Sequence, residues 1–134
     1  MFQYALLFTS VLLVACAPET PPTLVHYVSA QEALANDDFA SAQQALKTMG
    51  DVAAAPLNGL ATSASNSADI DAMRTAFKAL SAEIIKSDVP DGYVLAFCPM
   101  AENDQGAHWI QKDGPSIMNP YFGSSMLHCG VFKD

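Results

Sequence analysis

Basic residues are scarce in this chain of 134 residues: six Lys and Arg stand against 14 Asp and Glu, for a formal net charge of −8. Such an acidic excess repels phosphate backbones, which excludes nucleic acid as a partner, and it leaves no polybasic surface for anionic lipid. Tryptophan occurs once, and cysteine and histidine three times each. The cysteines form no C-x-x-C pair of the kind that builds zinc sites, and a c-type haem motif is missing because His128 precedes Cys129. No nucleophile stands at a recognisable spacing from a base, so the chain is not expected to be an enzyme. A Cys and His thiol catalyst is the weakest alternative, since it lacks signature residues.

Charge of either sign is also missing from the first 15 residues, which are almost wholly apolar and end against Cys16. That run is too short for a spanning helix and suits the apolar region of a signal peptide. Leu13, Val14, Ala15 and Cys16 resemble the lipobox of bacterial lipoproteins. The resemblance implies that residues 1–15 are a signal peptide and that Cys16 becomes the first mature residue and carries the lipid. The mature chain would then be anchored to a membrane of the bacterial cell envelope and face the periplasm. The competing possibility is an ordinary signal peptide cut elsewhere, which leaves Cys16 free. Residues 16–23 hold three prolines without hydrophobic periodicity and make a tether. Residues 24–134 are expected to be a single domain, which is long enough for a modest core.

Within the domain, Leu24, Tyr27, Val28, Gln31 and Leu34 recur at helical spacing and predict a first helix over about 23–36. Asn36 and Asp37 break it, and a second helix begins near Asp38 with Phe39, Ala42, Leu46, Met49 and Ala53 on its apolar face. Ala40, Ala42 and Ala45 are small enough for close approach to a neighbour, and so short a link predicts an antiparallel hairpin. Residues 56–67 are small and polar and read as a loop, with at most a helical turn at 57–64. Asp69 is the expected cap of the helix with the clearest periodicity, in which Ile70, Met73, Phe77, Leu80 and Ile84 form one stripe and Arg74, Lys78, Glu83 and Lys86 the opposite side. Met73 reads as core, and His26 as a surface or half-buried histidine.

After Gly92 the pattern changes. Tyr93 to Phe97 is a short run of strand formers, and the glycines and prolines beyond it predict an irregular segment with extended pieces at 93–97 and 107–111 and a helical turn at 121–127. The fold class is therefore mainly α, a small antiparallel bundle of three to four helices with an irregular C-terminal segment packing Trp109, Tyr121 and Phe122 onto it.

That segment concentrates the sulfur. Cys98 with Met100, and Met126 with His128 and Cys129, set soft donors together at two points, a donor set that favours Cu(I). In an oxidising envelope the same two cysteines commonly form a disulfide, which stabilises by about 3–4 kcal/mol in the chain-entropy model for a loop of that size. Both possibilities are open from the residues alone. Met100, Met126 and His128 need no deprotonated thiol and remain donors even if Cys98 and Cys129 are paired. Glu102, Asp104 and Asp113 sit among turn formers and read as solvated.

The strings FCPMA, GAHWIQ, NPYFG and MLHCG resemble the closing motif of a bacterial domain found in small envelope lipoproteins and fused to periplasmic adaptors of copper and silver efflux systems. Cys98, Pro99, Met100, Gly106, Trp109, Asn119, Pro120, Tyr121, Gly123, Met126, Cys129 and Gly130 carry the resemblance. DDFASAQQAL and the R-x-x-F centre of residues 74–77 agree more loosely. The family has no assigned function, and the resemblance implies an envelope lipoprotein associated with heavy-metal efflux; together with the soft donors it leads to the expectation of a soft-metal buffer or chaperone, copper above all, beside an efflux adaptor. Cys98, Met100, Met126, Cys129 and His128 are the expected ligands, with Trp109 shielding them from water. The alternative is a non-catalytic structural or interaction lipoprotein stapled by a Cys98–Cys129 disulfide.

Overall fold

Two prolines start the folded part: Pro21 precedes the first helix and Pro22 occupies its opening turn, where a missing N–H costs nothing. The computed structural model describes residues 16–134, so the expected signal peptide lies outside the described residues. Cys16 is exposed at the start of the tether.

Helix α1 (Pro22–Ala35) ends where Asp37 takes a left-handed conformation, with φ of 57°. The Asp38 N–H reaches back to the Ala33 carbonyl at 2.9 Å and the Asp37 N–H to that of Leu34 at 3.2 Å, the double closure of a Schellman turn. Asp38 then caps α2 (Phe39–Val52) by accepting from the Ser41 N–H, and α2 packs back on α1 as the expected hairpin. The loop expected at 56–67 is instead a third helix, α3 (Leu57–Ser65), whose Ala61, Ala64 and Ser65 are buried. Its small side chains let α3 lie close to α2 and α4, and packing rather than propensity holds so short a helix. Asp69 caps α4 (Ile70–Ile84) as expected, through a 2.8 Å bond from the Ala72 N–H.

The C-terminal segment is more regular than its glycines and prolines suggest. Strands β1 (Tyr93–Cys98), β2 (Ala107–Lys112) and β3 (Val131–Lys133) form an antiparallel sheet in the order β2-β1-β3. The helical turn expected at 121–127 shrinks to a 3₁₀ turn at Gly123–Ser125. The protein is thus mainly α, a four-helix arrangement with a small sheet against it. The largest buried side chains bridge the two: Tyr27 stacks on Phe77 at 4.9 Å between centroids, Phe77 tilts against Tyr121 at 6.1 Å, and Trp109 meets Tyr121 edge-on at 6.0 Å. The Tyr27 hydroxyl pairs with Ser81 at 2.7 Å and accepts from the Ile110 N–H, tying α1, α4 and β2 together. Met73 is core and His26 half-buried, as expected, whereas Ala40 is exposed.

One residue departs from the expected polar face of α4. Arg74 is buried, its Nε donating to the Pro120 carbonyl at 2.9 Å and its Nη2 to the Leu34 carbonyl and the Asp37 carboxylate, each at 2.8 Å. A guanidinium can be buried only when its donors are matched in this way, and here one side chain joins α1, α4 and the C-terminal segment.

Candidate functional site

Cys98 closes β1 and Cys129 stands just before β3, and the sheet register explains why they meet. Phe97 pairs with Val131, so one further step along the ladder sets Gly130 opposite Cys98. The two sulfurs lie 2.7 Å apart. A disulfide requires about 2.0 Å. The Cys98–Cys129 pair considered from the sequence is therefore not at bonded distance, although its sulfurs are also closer than two unbonded sulfurs ordinarily rest. Cys98 is wholly buried and Cys129 half-buried. The hydrogen bond to Cys98, and secondarily burial, pushes the Cys129 thiol up to about 11, so Cys129 is protonated at neutral pH.

Asn119 holds the loop that delivers Cys129. Its Oδ1 accepts from the N–H groups of Tyr121 and Phe122 at 2.8 and 3.1 Å, its Nδ2 donates to the Cys129 carbonyl at 2.8 Å, and its own N–H donates to the Leu127 carbonyl. The Tyr121 hydroxyl donates to the His108 carbonyl at 2.6 Å, fixing the same loop to β2. Gly123, at φ of 56°, lies so close to Asp37 and Arg74 that a Cβ would collide with both side chains. Gly130 has φ of 139°, and a Cβ there would sit 2.9 Å from the Phe97 carbonyl and 3.0 Å from the Trp109 ring. The residues of NPYFG and of the closing CG thus act together to hold Cys129 against the end of β1.

The remaining expected ligands are distributed unevenly. Met126 is half-buried in the same turn as Cys129, whose N–H donates to the Met126 carbonyl at 3.1 Å. Met100 is 48% exposed in the turn after β1. His128 is exposed, and its Nδ1 donates to the Ile117 carbonyl at 2.8 Å, which leaves only Nε2 for an ion. Trp109 is fully buried, with Nε1 donating to Gln111 at 2.9 Å and its ring against Gly130. Among the described residues, no three His, Cys, Asp or Glu side chains gather as a metal cluster; thioethers fall outside that set. Two thiolates bound at about 2.3 Å would stand about 3.8 Å apart around a tetrahedral ion and about 4.6 Å apart around a linear one. The pair must therefore part by about 1 Å or more to take an ion.

Three residues behind this frame are not among the expected ligands: Arg74, Asp37 and Ser124. Asp37 accepts from Arg74 and, through its other oxygen, from the backbone and hydroxyl of Ser124. The hydrogen bond from Ser124, followed by that from Arg74, holds the Asp37 carboxyl below its ordinary range. The signal in the sequence is the acidic pair at a helix break together with an arginine one turn before Phe77. The chain matches no protein-family profile, no curated protein and no solved structure.

Proposed function

We propose that the protein is an envelope lipoprotein, anchored through Cys16, that binds a soft metal ion as buffer or chaperone beside a heavy-metal efflux adaptor. Cu(I) is the ion its donors suit best. Cys98 and Cys129 are the principal ligands, and Met126, with Met100 or the free nitrogen of His128, completes the shell. The observation that carries this reading is the pairing of two sulfurs 31 residues apart by a built frame, with a thioether in the same turn. Metal binding displaces the proton that Cys129 otherwise keeps, so affinity rises with pH.

A second reading has its own support. Sulfurs 2.7 Å apart with no space for an ion between them also suit a staple that closes under oxidation, in a structural or interaction lipoprotein without catalysis. A thiol catalyst fits less well, because a raised thiol pKa lowers the thiolate fraction. The two leading readings separate in a titration of the purified protein with Cu(I) against a competing chelator, before and after reduction, with free thiols counted in each state. Metal binding predicts one tightly held ion in the reduced form, weakened at least about tenfold by Met126→Leu. Two blocked thiols with no copper uptake in either state establish the staple instead.

A further inference from the structure

An apolar groove opens where the tether meets the folded domain. Leu24, Ala54, Leu57, Ile84, Pro90 and Ile110 line a cavity of about 320 Å³, a volume at the lower end of small-ligand clefts. Pro21, the last residue before α1, is on its rim. Cys16 lies five residues upstream in an exposed, non-helical stretch, and five extended residues reach at most about 17 Å, so the Cys16 sulfur can be brought to the mouth of the groove.

We propose that this groove takes one acyl chain of the lipid carried on Cys16. The proposal rests on the lipoprotein reading and is independent of the copper site. An apolar cleft of this size pairs with hydrocarbon, and the chain's own tether ends at it, which raises the local concentration of an attached lipid over any free one. The charge at the rim narrows the occupant further. Asp88 stands at the mouth of a protein of net charge −8, so a free fatty acid or a phosphate-headed lipid would be repelled. A chain arriving through the uncharged linkages of a lipidated cysteine meets no such penalty. A sheltered chain also contributes nothing to the anchor, so the groove sets how firmly the domain is held to the bilayer.

The test uses the mature chain, residues 16–134, carrying Cys16→Ser, isotope-labelled at isoleucine and leucine methyls and titrated with dodecyl maltoside below its micelle concentration. Mass spectrometry of the wild-type protein reports in parallel whether Cys16 is acylated. Expected are saturable shifts of the Ile84 and Ile110 methyls but not of Ile70, at least about fivefold weaker binding of dodecanoate, and an acyl mass on Cys16. Leu57→Gln should abolish the shifts. Ala54→Trp, at an exposed position, should block the groove without burying a polar group and serves if the first variant unfolds. Absence of saturable shifts, or equal shifts at Ile70, would overturn the groove whatever the mass spectrum shows. Binding without an acyl mass would overturn the assignment of the occupant, and the lipoprotein reading with it.

Discussion

At Asp37 the fold accepts a local cost for a distant gain. A left-handed residue at a helix end is ordinarily glycine, and a side chain there is strained by roughly 1 kcal/mol. The carboxylate it provides is what Arg74 and Ser124 both bind. Because its pKa is lower folded than unfolded, the stabilisation is fully present above the ordinary value of 3.8 and fades as pH falls through the lower folded value. Thermal melting of the wild type should therefore fall off in acid below about pH 4, and Asp37→Asn should flatten that part of the profile while melting lower at pH 7; an unchanged acid limb in the variant would contradict the role given to Asp37. Asn119 is the second residue on which the site turns. Asn119→Ala leaves two N–H groups and the Cys129 carbonyl without their partner and should destabilise by at least about 2 kcal/mol in denaturant unfolding. It should also speed alkylation of Cys129 at pH 8, since the loop no longer presses that thiol against Cys98. Stability lost with no change in alkylation would separate Asn119 from the cysteine pair.

Among the elements, the helices were legible and the sheet only in part. Ile70 to Ile84 bury one stripe, so a 3.6-residue period survives in the sequence, whereas α1 is buried over most of its circumference and shows only the larger members of its buried face; the caps Asp38 and Asp69 mark where two helices begin. Helix α3 was hidden because Ala61, Ala64 and Ser65 are small enough to bury without a hydrophobic pattern. Strand β3 was hidden because Val131 and Phe132 are exposed and only three residues long, so its existence depends on pairing with β1 rather than on its own composition. Arg74 sits beside the apolar stripe of α4, and its burial follows from carbonyls supplied by Leu34 and Pro120, which no helical period reveals. Phe77 is where the helices meet the sheet side of the core, touching Tyr27 and Tyr121. Phe77→Ala should cost about 3–5 kcal/mol in unfolding, whereas Asp69→Ala, at an exposed cap, should cost about 1 kcal/mol. Equal effects would mean that the aromatic column is not the principal link.

For the whole molecule, two cysteines far apart in the sequence are brought together because the Asn119 loop and Gly130, packed against Trp109, hold Cys129 at the end of β1. The sequence located the sulfur donors but not their distances: it left Cys98 and Cys129 open to bonding, and the fold sets their sulfurs 2.7 Å apart, with Met126 in the same turn as Cys129 and Met100 and His128 turned more to solvent. Among the described residues no helix is long and apolar enough to cross a membrane. The central claim is that the cysteine pair itself holds the ion. Its most direct test is timed alkylation of the reduced protein with and without one equivalent of Cu(I), read by mass spectrometry at each cysteine. Both Cys98 and Cys129 should be alkylated in the metal-free form under mild denaturant, and both should be protected together, at least about tenfold, once copper is bound. Copper bound at one equivalent with both thiols reacting as fast as before would contradict it.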